Sequence, residues 1–151
     1  MSDHLRSVRS KVGSQLLVLP AVGAVIHNDV GEILLVFTHD DMWGTPGGAV
    51  DPGEQPADAV VREVFEEVGL RVEPERVLST HLHHVDYPNG DSVDYTVVVF
   101  RCRVLDGEIS ANDGEVVEWE WVDPAAAWGR GVEIDPTVLG ADYAGPTTFR
   151  K

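Results

Sequence analysis

The chain has 151 residues and a formal net charge of −15, with 43% hydrophobic and 25% charged residues. This composition predicts one globular domain over residues 1–151 with a sizeable core. The acidic charge argues against nucleic acid as a partner, because a phosphate backbone repels such a surface. A membrane partner is also not expected, since no apolar run approaches the roughly 20 residues of a membrane helix and no secretory signal is recognisable.

The first third of the chain predicts a helix and two strands. A helix is expected from Asp3 to about Gln15 within an N-terminal segment, 1–15. Strands are expected at Ala21–His27 and Glu32–Phe37, and the turn between them predicts a hairpin. A loop over His39–Val50 leads into a short strand, and a central helix follows. That helix should begin near Pro56 and end at Gly69, because proline suits a first helical turn and glycine suits a C-terminal cap.

The remainder of the chain predicts three more strands and a short helix. The strands are Leu78–His84, Asp94–Val104 and Val117–Val122, and the helix is Pro124–Trp128. The turn Tyr87–Asp91 is rich in Pro, Asn, Gly and Asp and joins the first two of these strands. Residues 129–151 are weakly patterned and are expected to form a C-terminal tail. This order of elements predicts a mixed α/β (α+β) domain with helices packed on a sheet.

The central helix has one apolar stripe beside an acidic face. Glu63, Glu66 and Glu67 are neighbours on that face, because residues three and four apart adjoin on a helix. Like charges at this spacing cost a few tenths of a kcal/mol per pair. A hard divalent cation removes that cost by binding carboxylate oxygen, so the cluster predicts a metal site. The apolar stripe consists of Ala57, Val60, Val61, Val64 and Val68.

The helix belongs to a longer motif. Gly48, Glu54 and the run Arg62–Leu70 follow the pattern G-x5-E-x7-R-E-U-x-E-E-x-G-U, where U is aliphatic, at all nine specified positions. The chain therefore resembles the Nudix (MutT-like) hydrolase family. The preceding segment, Trp43–Gly48, resembles the family's W-x-x-P-G-G stretch, and Glu115 to Trp121 resembles its distal E-x5-W stretch. The resemblance covers about residues 16–128. It implies an α/β/α sandwich with a mixed β-sheet and a loop-helix-loop metal site.

The resemblance also assigns roles to the motif residues. It implies that Mg²⁺, or alternatively Mn²⁺, is held by Glu63, Glu66, Glu67 and Glu115 together with the carbonyl of Gly48. Arg62 and Glu54 are expected to orient the ligands by charge-assisted hydrogen bonds. For the catalytic base, Glu115 is the leading candidate and Glu66 is the second. Both remain open at this point.

The activity implied by the resemblance is hydrolysis of a diphosphate bond in a nucleoside diphosphate linked to another group. Metal-activated water would attack one phosphorus in line with the leaving phosphate. ADP-ribose or a related small nucleotide derivative is the leading substrate, and dinucleoside polyphosphates and damaged nucleotides are alternatives. A non-catalytic module that senses a nucleotide is the alternative from another class. A homodimer is also an expectation, because many family members are dimers.

Four residues are candidates for substrate contact. Tyr87 resembles a tyrosine of diadenosine polyphosphate hydrolases, whereas the adjacent proline resembles ADP-ribose pyrophosphatases, and Asp91 ends the same turn. Trp43 either stacks on a base or packs beside its own loop. Many members carry Arg or Lys near the end of the strand before the W-x-x-P-G-G stretch, but residues 34–39 contain neither. His39 is the candidate to replace that basic contact.

The cysteine and histidine content predicts no structural metal site. Cys102 is the only cysteine, which excludes an internal disulfide bond. Its position in an apolar strand indicates a buried thiol in a reducing compartment, and the cytoplasm is the predicted location. His81 and His83 should share one strand face and His84 should take the other. They are expected to be cleft or surface histidines, because zinc requires four compact ligands.

Overall fold

The computed structural model describes residues 3–111 and 114–150, so the outermost residues of the predicted domain, 1, 2 and 151, lie outside the described part. No helix within the described ranges combines the length and apolarity needed to span a membrane. The helices are α1 (Asp3–Val12), α2 (Pro56–Val68), α3 (Pro124–Ala127) and α4 (Pro136–Leu139). The strands are β1 (Leu17–Ile26), β2 (Ile33–Thr38), β3 (Trp43–Gly44), β4 (Gly47–Ala49), β5 (Arg71–Asp86), β6 (Ser92–Asp106), β7 (Val116–Val122) and β8 (Thr148–Phe149).

The strands form two sheets. The larger sheet has the order β4-β1-β6-β5-β8 and is mixed, because β1 runs parallel to β6 and β5 runs parallel to β8 while the other neighbours are antiparallel. The smaller sheet has the order β3-β2-β7 and is antiparallel. This confirms the expected α+β class with a mixed sheet.

Two hydrophobic cores lie on opposite sides of the strands. The first core packs α2 against β1, β2 and β6, and the second packs α3, α4 and the segment between them against the other side. β2 contributes to both, because Leu34 and Val36 enter the first core while Ile33 and Leu35 enter the second. Burial on both sides explains why this strand is a continuous apolar run instead of an alternating one.

The predicted hairpin between the first two strands is wrong. The chain does reverse at residues 28–31, where the Asn28 side-chain oxygen accepts hydrogen bonds from the N–H groups of Val30 and Glu32. Beyond the turn only His27 and Ile33 form a bridge. β1 pairs instead with β4 and β6, and β2 pairs with β3 and β7. The backbone N–H and C=O groups of the two strands are thus paired in different sheets, and β1 and β2 diverge from the turn that joins them.

The central helix has the bounds predicted from its terminal residues. Pro56 occupies the first turn, and Gly69 ends the helix with φ 73° while its N–H donates to the Phe65 carbonyl at 3.0 Å. The expected apolar stripe faces the first core, although Ala57 and Val61 are only partly buried. Ala59 is also buried there, which the stripe did not include.

The two ends of the chain differ from expectation. α1 stops at Val12, before the expected Gln15, because Gly13 adopts a left-handed conformation with φ 64°. The segment after Trp128 is an integral part of the second core, where Val132, Ile134 and Leu139 are buried. It contains α4 and β8, so the weakly patterned tail packs on the domain.

The second core offers a stability test on a single strand. Leu78 of β5 is fully buried, whereas Leu82 of the same strand is 56% exposed. We expect Leu78→Ala to lower the free energy of unfolding by about 2–5 kcal/mol, because it removes buried methyl groups and leaves a cavity. The matched change Leu82→Ala should alter it by about 0.5 kcal/mol or less. Urea unfolding measures both, and equal losses would contradict the described packing.

Candidate metal centre

The loop carrying the motif glycines lies directly against the central helix. In β4, Gly48 stands opposite Val22 of β1. A Cβ built on Gly48 would lie 2.6 Å from the Cδ of Glu63, so a larger residue there would displace that carboxylate. Burial raises the pKa of Glu63, while the hydrogen bond from Arg62 opposes the rise. The Glu63 carboxylate is thus partly desolvated beside the loop backbone, where a positive charge would stabilise it.

Glu67 joins the same loop to the next turn of the helix. Its side chain accepts a hydrogen bond from the Gly47 N–H at 2.9 Å, and the residue is only 6% exposed. Gly47 itself has φ 157°, and a Cβ there would lie 2.1 Å from the Val22 carbonyl oxygen. The close approach of the loop to β1 therefore places the N–H that binds Glu67.

Arg62 connects three of the motif carboxylates. Its Nε and Nη2 donate to the two carboxylate oxygens of Glu54, each at 2.9 Å. Its Nη1 donates to Glu63 at 2.8 Å and to Glu66 at 3.2 Å, and Nη2 also donates to the Ala49 carbonyl at 3.1 Å. The bidentate contact with Arg62 lowers the pKa of Glu54, and the carboxylates of Glu54 and Glu63 raise the pKa of Arg62. One guanidinium thereby fixes the helix face relative to the loop.

The distal segment approaches the helix through Glu115. This exposed residue immediately precedes β7, and its carbonyl accepts a hydrogen bond from the His39 N–H at 3.1 Å. The pKa of Glu63, raised mainly by burial, is raised further by the charge of Glu115. The pKa of Tyr87, also raised mainly by burial, responds to the same charge. The fold therefore brings Glu115, His39, Tyr87 and the central helix to one region.

The turn between β5 and β6 holds the other candidate contacts. The Tyr87 hydroxyl is hydrogen-bonded to the Tyr95 hydroxyl at 2.9 Å, a partner that no sequence signal indicated. The Asp91 carboxylate lies 3.5 Å from Arg9 of α1 and accepts a hydrogen bond from Asn89 at 3.1 Å. Asp91 therefore ties the N-terminal helix to the turn, and a role in substrate contact stays a prediction.

The Trp43 ring contacts two other side chains. Its ring centroid lies 5.3 Å from that of Phe37, and the guanidinium carbon of Arg130 lies 4.3 Å from its ring centroid. This arrangement fits the packing alternative, because Phe37 and Arg130 already contact the ring. Arg130 was not among the residues predicted from the sequence. Its two flanking glycines, Gly129 and Gly131, are a signal for a tightly turned segment.

The histidines on β5 are distributed as expected. His81 and His83 pair with Val97 and Tyr95 on one face of the sheet, and His84 pairs with Asp94 on the other. Burial lowers the pKa of His81. No three or more histidine, cysteine or acidic side chains within residues 3–111 and 114–150 are already arranged to hold a metal ion.

His84 provides a pH-dependent prediction. Hydrogen bonds to Asp94, at 2.7 Å, and to Asp86 raise its pKa above 6.5. The stabilisation by charged His84 is therefore complete below about pH 6.5 and is lost as pH rises through the folded-state pKa. We expect His84→Gln to lower the Tm at about pH 5.5 and to change it little at about pH 9. In an Asp94→Asn background this pH difference should shrink, and an unchanged difference would argue against the pair.

The donor set of the central helix fits a hard divalent cation. Glu63, Glu66 and Glu67 offer carboxylate oxygens, the ligand type that Mg²⁺ and Mn²⁺ prefer. The Glu63 carboxylate lies close to the Gly48 backbone, in the space that a Cβ at residue 48 would fill. Arg62 contacts one oxygen of Glu63 and one of Glu66, so it orients these carboxylates from the side. Glu63, Glu66, Glu67 and Glu115 are therefore the candidate ligands, although within residues 3–111 and 114–150 they are not grouped as a ready-made metal site.

Comparison with known proteins decides the family. A family model described as the NUDIX domain matches residues 18–139. The chain belongs to the Nudix family. The match extends beyond the motif in both directions and includes α2, β7 and the buried part of the C-terminal segment.

Individual Nudix relatives carry different names. The chain is 34% identical over 104 residues to nucleoside diphosphate-linked moiety X motif 6 of Mus musculus, covering 67% of this chain and 33% of that protein. It is 41% identical over 69 residues to an RNA pyrophosphohydrolase of Pectobacterium atrosepticum, covering 45% of this chain and 39% of that protein. The chain thus spans about a third to two-fifths of these relatives' lengths.

The fold is similar to that of solved Nudix structures. An ADP-ribose pyrophosphatase from Streptococcus suis superposes with a TM-score of 0.67 at 27% sequence identity, covering 87% of this chain and 98% of that chain. The MutT protein from Methanosarcina mazei Go1 also has a TM-score of 0.67, at 24% identity, covering 83% of this chain and 92% of that chain, and supports the fold alone. The α/β/α sandwich implied by the motif is therefore the observed architecture.

Proposed function

We propose that this Nudix chain is a pyrophosphohydrolase that uses Mg²⁺, or Mn²⁺, to cleave a diphosphate bond in a small nucleoside diphosphate derivative. The observation that carries the proposal is the Arg62 network, which binds Glu54, Glu63, Glu66 and the Ala49 carbonyl at once. A helix whose acidic face had only a solubility role would not need its carboxylates held against a glycine loop. Fixed carboxylates are what a metal-dependent phosphoryl reaction requires.

The chain's own residues have distinct tasks in this reaction. A bound divalent cation would neutralise charge on the phosphates and make water a stronger nucleophile. Arg62 and Glu54 hold the ligand carboxylates in place, and the Gly47 N–H holds Glu67. The water oxygen attacks phosphorus, the bond from that phosphorus to the bridging oxygen breaks, and the electron pair leaves with the departing phosphate.

A carboxylate must accept the proton of the attacking water. Glu115 is the proposed base, because it is exposed and close enough to the helix for its charge to affect Glu63. Glu66 is the second candidate, with a side chain that is 50% exposed beside Arg62. Comparing Glu115→Gln with Glu66→Gln distinguishes them. The variant that lacks the true base should have a kcat lowered by about a hundredfold or more, and its pH profile should lose the acidic limb.

ADP-ribose or a related nucleotide derivative is the proposed substrate. The similarity to the Streptococcus suis ADP-ribose pyrophosphatase over 98% of its length supports this choice. Dinucleoside polyphosphates and damaged nucleotides are the second candidates, favoured by the half-buried Tyr87 hydroxyl near Glu115. His39 and Asp91 remain proposed contacts, whereas Trp43 is proposed to pack within the fold. An RNA substrate is disfavoured by the net charge of −15, despite the RNA pyrophosphohydrolase among the relatives.

The deciding experiment is a nucleotide panel with product identification. The purified chain is incubated with ADP-ribose, nucleotide sugars, dinucleoside polyphosphates, oxidised nucleoside triphosphates and a 5′-triphosphorylated RNA, each with Mg²⁺, Mn²⁺ or EDTA. Release of AMP and ribose 5-phosphate from ADP-ribose is the expected result. Reaction in ¹⁸O-water shows which phosphorus is attacked, because the label enters that product. Absence of metal-dependent cleavage in every reaction would contradict the proposal, and binding without turnover would favour a sensor.

The cellular setting and assembly are also proposals. The cytoplasm is the proposed location, because Cys102 is a buried free thiol and such thiols persist in reducing compartments. Burial raises the pKa of this thiol to about 12. A homodimer is proposed from the family alone. Light scattering after size-exclusion chromatography measures the oligomeric state directly.

A further inference from the structure

A turn in the C-terminal segment lies against the loop that carries the motif glycines. We call residues Gly129, Arg130 and Gly131 the Gly-Arg-Gly turn. Both glycines adopt positive φ, 80° and 74° respectively. A Cβ built on Gly131 would lie 1.7 Å from the carbonyl oxygen of Trp43, so the two backbones are in direct contact and only glycine fits. The turn therefore packs on β3 with no side chain between them.

The side chain of the same turn holds the Trp43 ring. The Arg130 guanidinium carbon lies 4.3 Å from the ring centroid, a distance at which a cation is attracted by the indole face. Its Nη2 also donates to Glu120 of β7 at 2.6 Å, which fixes the direction of the guanidinium. Phe37 contacts the ring as well. Trp43 is thus held by side chains from β2 and from the turn, and by the backbone of Gly131.

Only a short stretch of chain connects Trp43 with the candidate metal centre. The Pro46 carbonyl accepts a hydrogen bond from Ala24 at 2.8 Å, and the next residue, Gly47, donates its N–H to Glu67. Three residues separate Trp43 from Gly47, and the φ of the third, Pro46, is fixed by its ring. β1 holds Gly47 and Gly48 from one side, and we expect a shift of Trp43 to reach the Gly47 N–H at Glu67 along this stretch.

We propose that the Gly-Arg-Gly turn is a positioning element of the metal centre. Arg130 and Gly131 hold Trp43, and Trp43 sets the loop that presents the Gly47 N–H to the central helix. Arg130 is a positioning residue in this arrangement, because it acts through Trp43. The inference rests on the proposed function only in requiring that the centre bind a divalent cation.

The primary test measures metal binding without substrate. Mn²⁺ is titrated into substrate-free protein and free Mn²⁺ is followed by electron paramagnetic resonance. Arg130→Ala should weaken Mn²⁺ binding by about five- to tenfold, the effect of losing a residue that supports a ligand. Arg130→Lys should restore part of the affinity, because an ammonium group keeps a cation over the ring. The matched control is Arg103→Ala, since Arg103 also pairs with glutamates, Glu73 and Glu75, on an exposed strand surface. Its affinity should equal that of the unaltered chain.

The second measurement separates positioning from substrate contact. With the best substrate of the panel, Arg130→Ala should raise the Mg²⁺ concentration for half-maximal rate by a similar factor. The KM for substrate at saturating Mg²⁺ should not change. A raised KM with unaltered Mn²⁺ affinity would overturn the proposal, because it would assign Arg130 to the substrate. Unaltered Mn²⁺ affinity alone would also overturn it.

Two further results keep the test decisive. If the unaltered chain cleaves no nucleotide, the proposed function fails, yet the Mn²⁺ titration still decides the role of the turn. If thermal unfolding shows that Arg130→Ala does not fold, Glu120→Gln replaces it, because this change loosens the guanidinium while leaving it in place. A weakening of Mn²⁺ binding of about two- to threefold in Glu120→Gln supports the proposal, and unchanged binding overturns it.

Discussion

Glu67→Gln is expected to lower kcat/KM by at least about a hundredfold, because it removes one of the charged groups proposed to hold the cation in the transition state. The glutamine oxygen can still accept the hydrogen bond from the Gly47 N–H, which is 2.9 Å away from the carboxylate in the unaltered chain. The local structure should therefore survive while the negative charge is lost. Steady-state kinetics with the best substrate of the panel measures the effect.

A matched control distinguishes this loss from a general effect of charge. Glu118→Gln makes the same change at an exposed position on β7 and should leave kcat/KM within about twofold of the unaltered chain. Thermal unfolding of both variants checks that they fold. Near-normal turnover by Glu67→Gln would remove Glu67 from the metal site.

Arg62→Lys is expected to lower kcat/KM by about 10- to 100-fold even though the positive charge is retained. The guanidinium spans Glu54, Glu63, Glu66 and the Ala49 carbonyl, and an ammonium group cannot reproduce that planar fork. The carboxylates would then lose their fixed orientation relative to the loop. The loss should be greatest at low metal concentration and smaller at saturating Mg²⁺.

Arg62→Ala should have a structural effect as well. It leaves the partly buried Glu54 and Glu63 carboxylates without their main donor, which should reduce the free energy of unfolding by about 1–3 kcal/mol, since the guanidinium is partly exposed to solvent. For Arg62→Lys, which preserves the charge, the matched control is Arg103→Lys. Full activity of Arg62→Lys would show that the positive charge matters and the fork geometry does not.

The central helix and its motif could be predicted because they depend on neighbours in the chain. Pro56 and Gly69 define the helix ends through their own backbone preferences, and the apolar stripe follows from the helical period. The helical period therefore predicts, without any tertiary contact, that Glu63, Glu66 and Glu67 adjoin on one face of the helix. The family comparison confirmed the family and the mixed α+β fold that this motif implied.

Strand partners could not be predicted in the same way. β1 and β2 are both buried apolar runs, and many registers between such strands bury similar surface. The turn at residues 28–31 favoured a hairpin locally, but the two strands joined different sheets because each found partners elsewhere in the chain. The choice depends on the total burial of two cores, which no local pattern reports.

The surroundings of the motif show where the local information ends. The spacing of Gly48, Glu54, Arg62 and the helix glutamates was sufficient to predict the family, the fold class and the candidate metal site. This was possible because the motif lies within one loop and one helix. Only the folded chain brought Arg130 onto Trp43 and Glu115 near Glu63, because these pairs are distant in sequence and meet through sheet packing. Long-range contacts result from the packing of all elements together, and so they appear only in the tertiary structure.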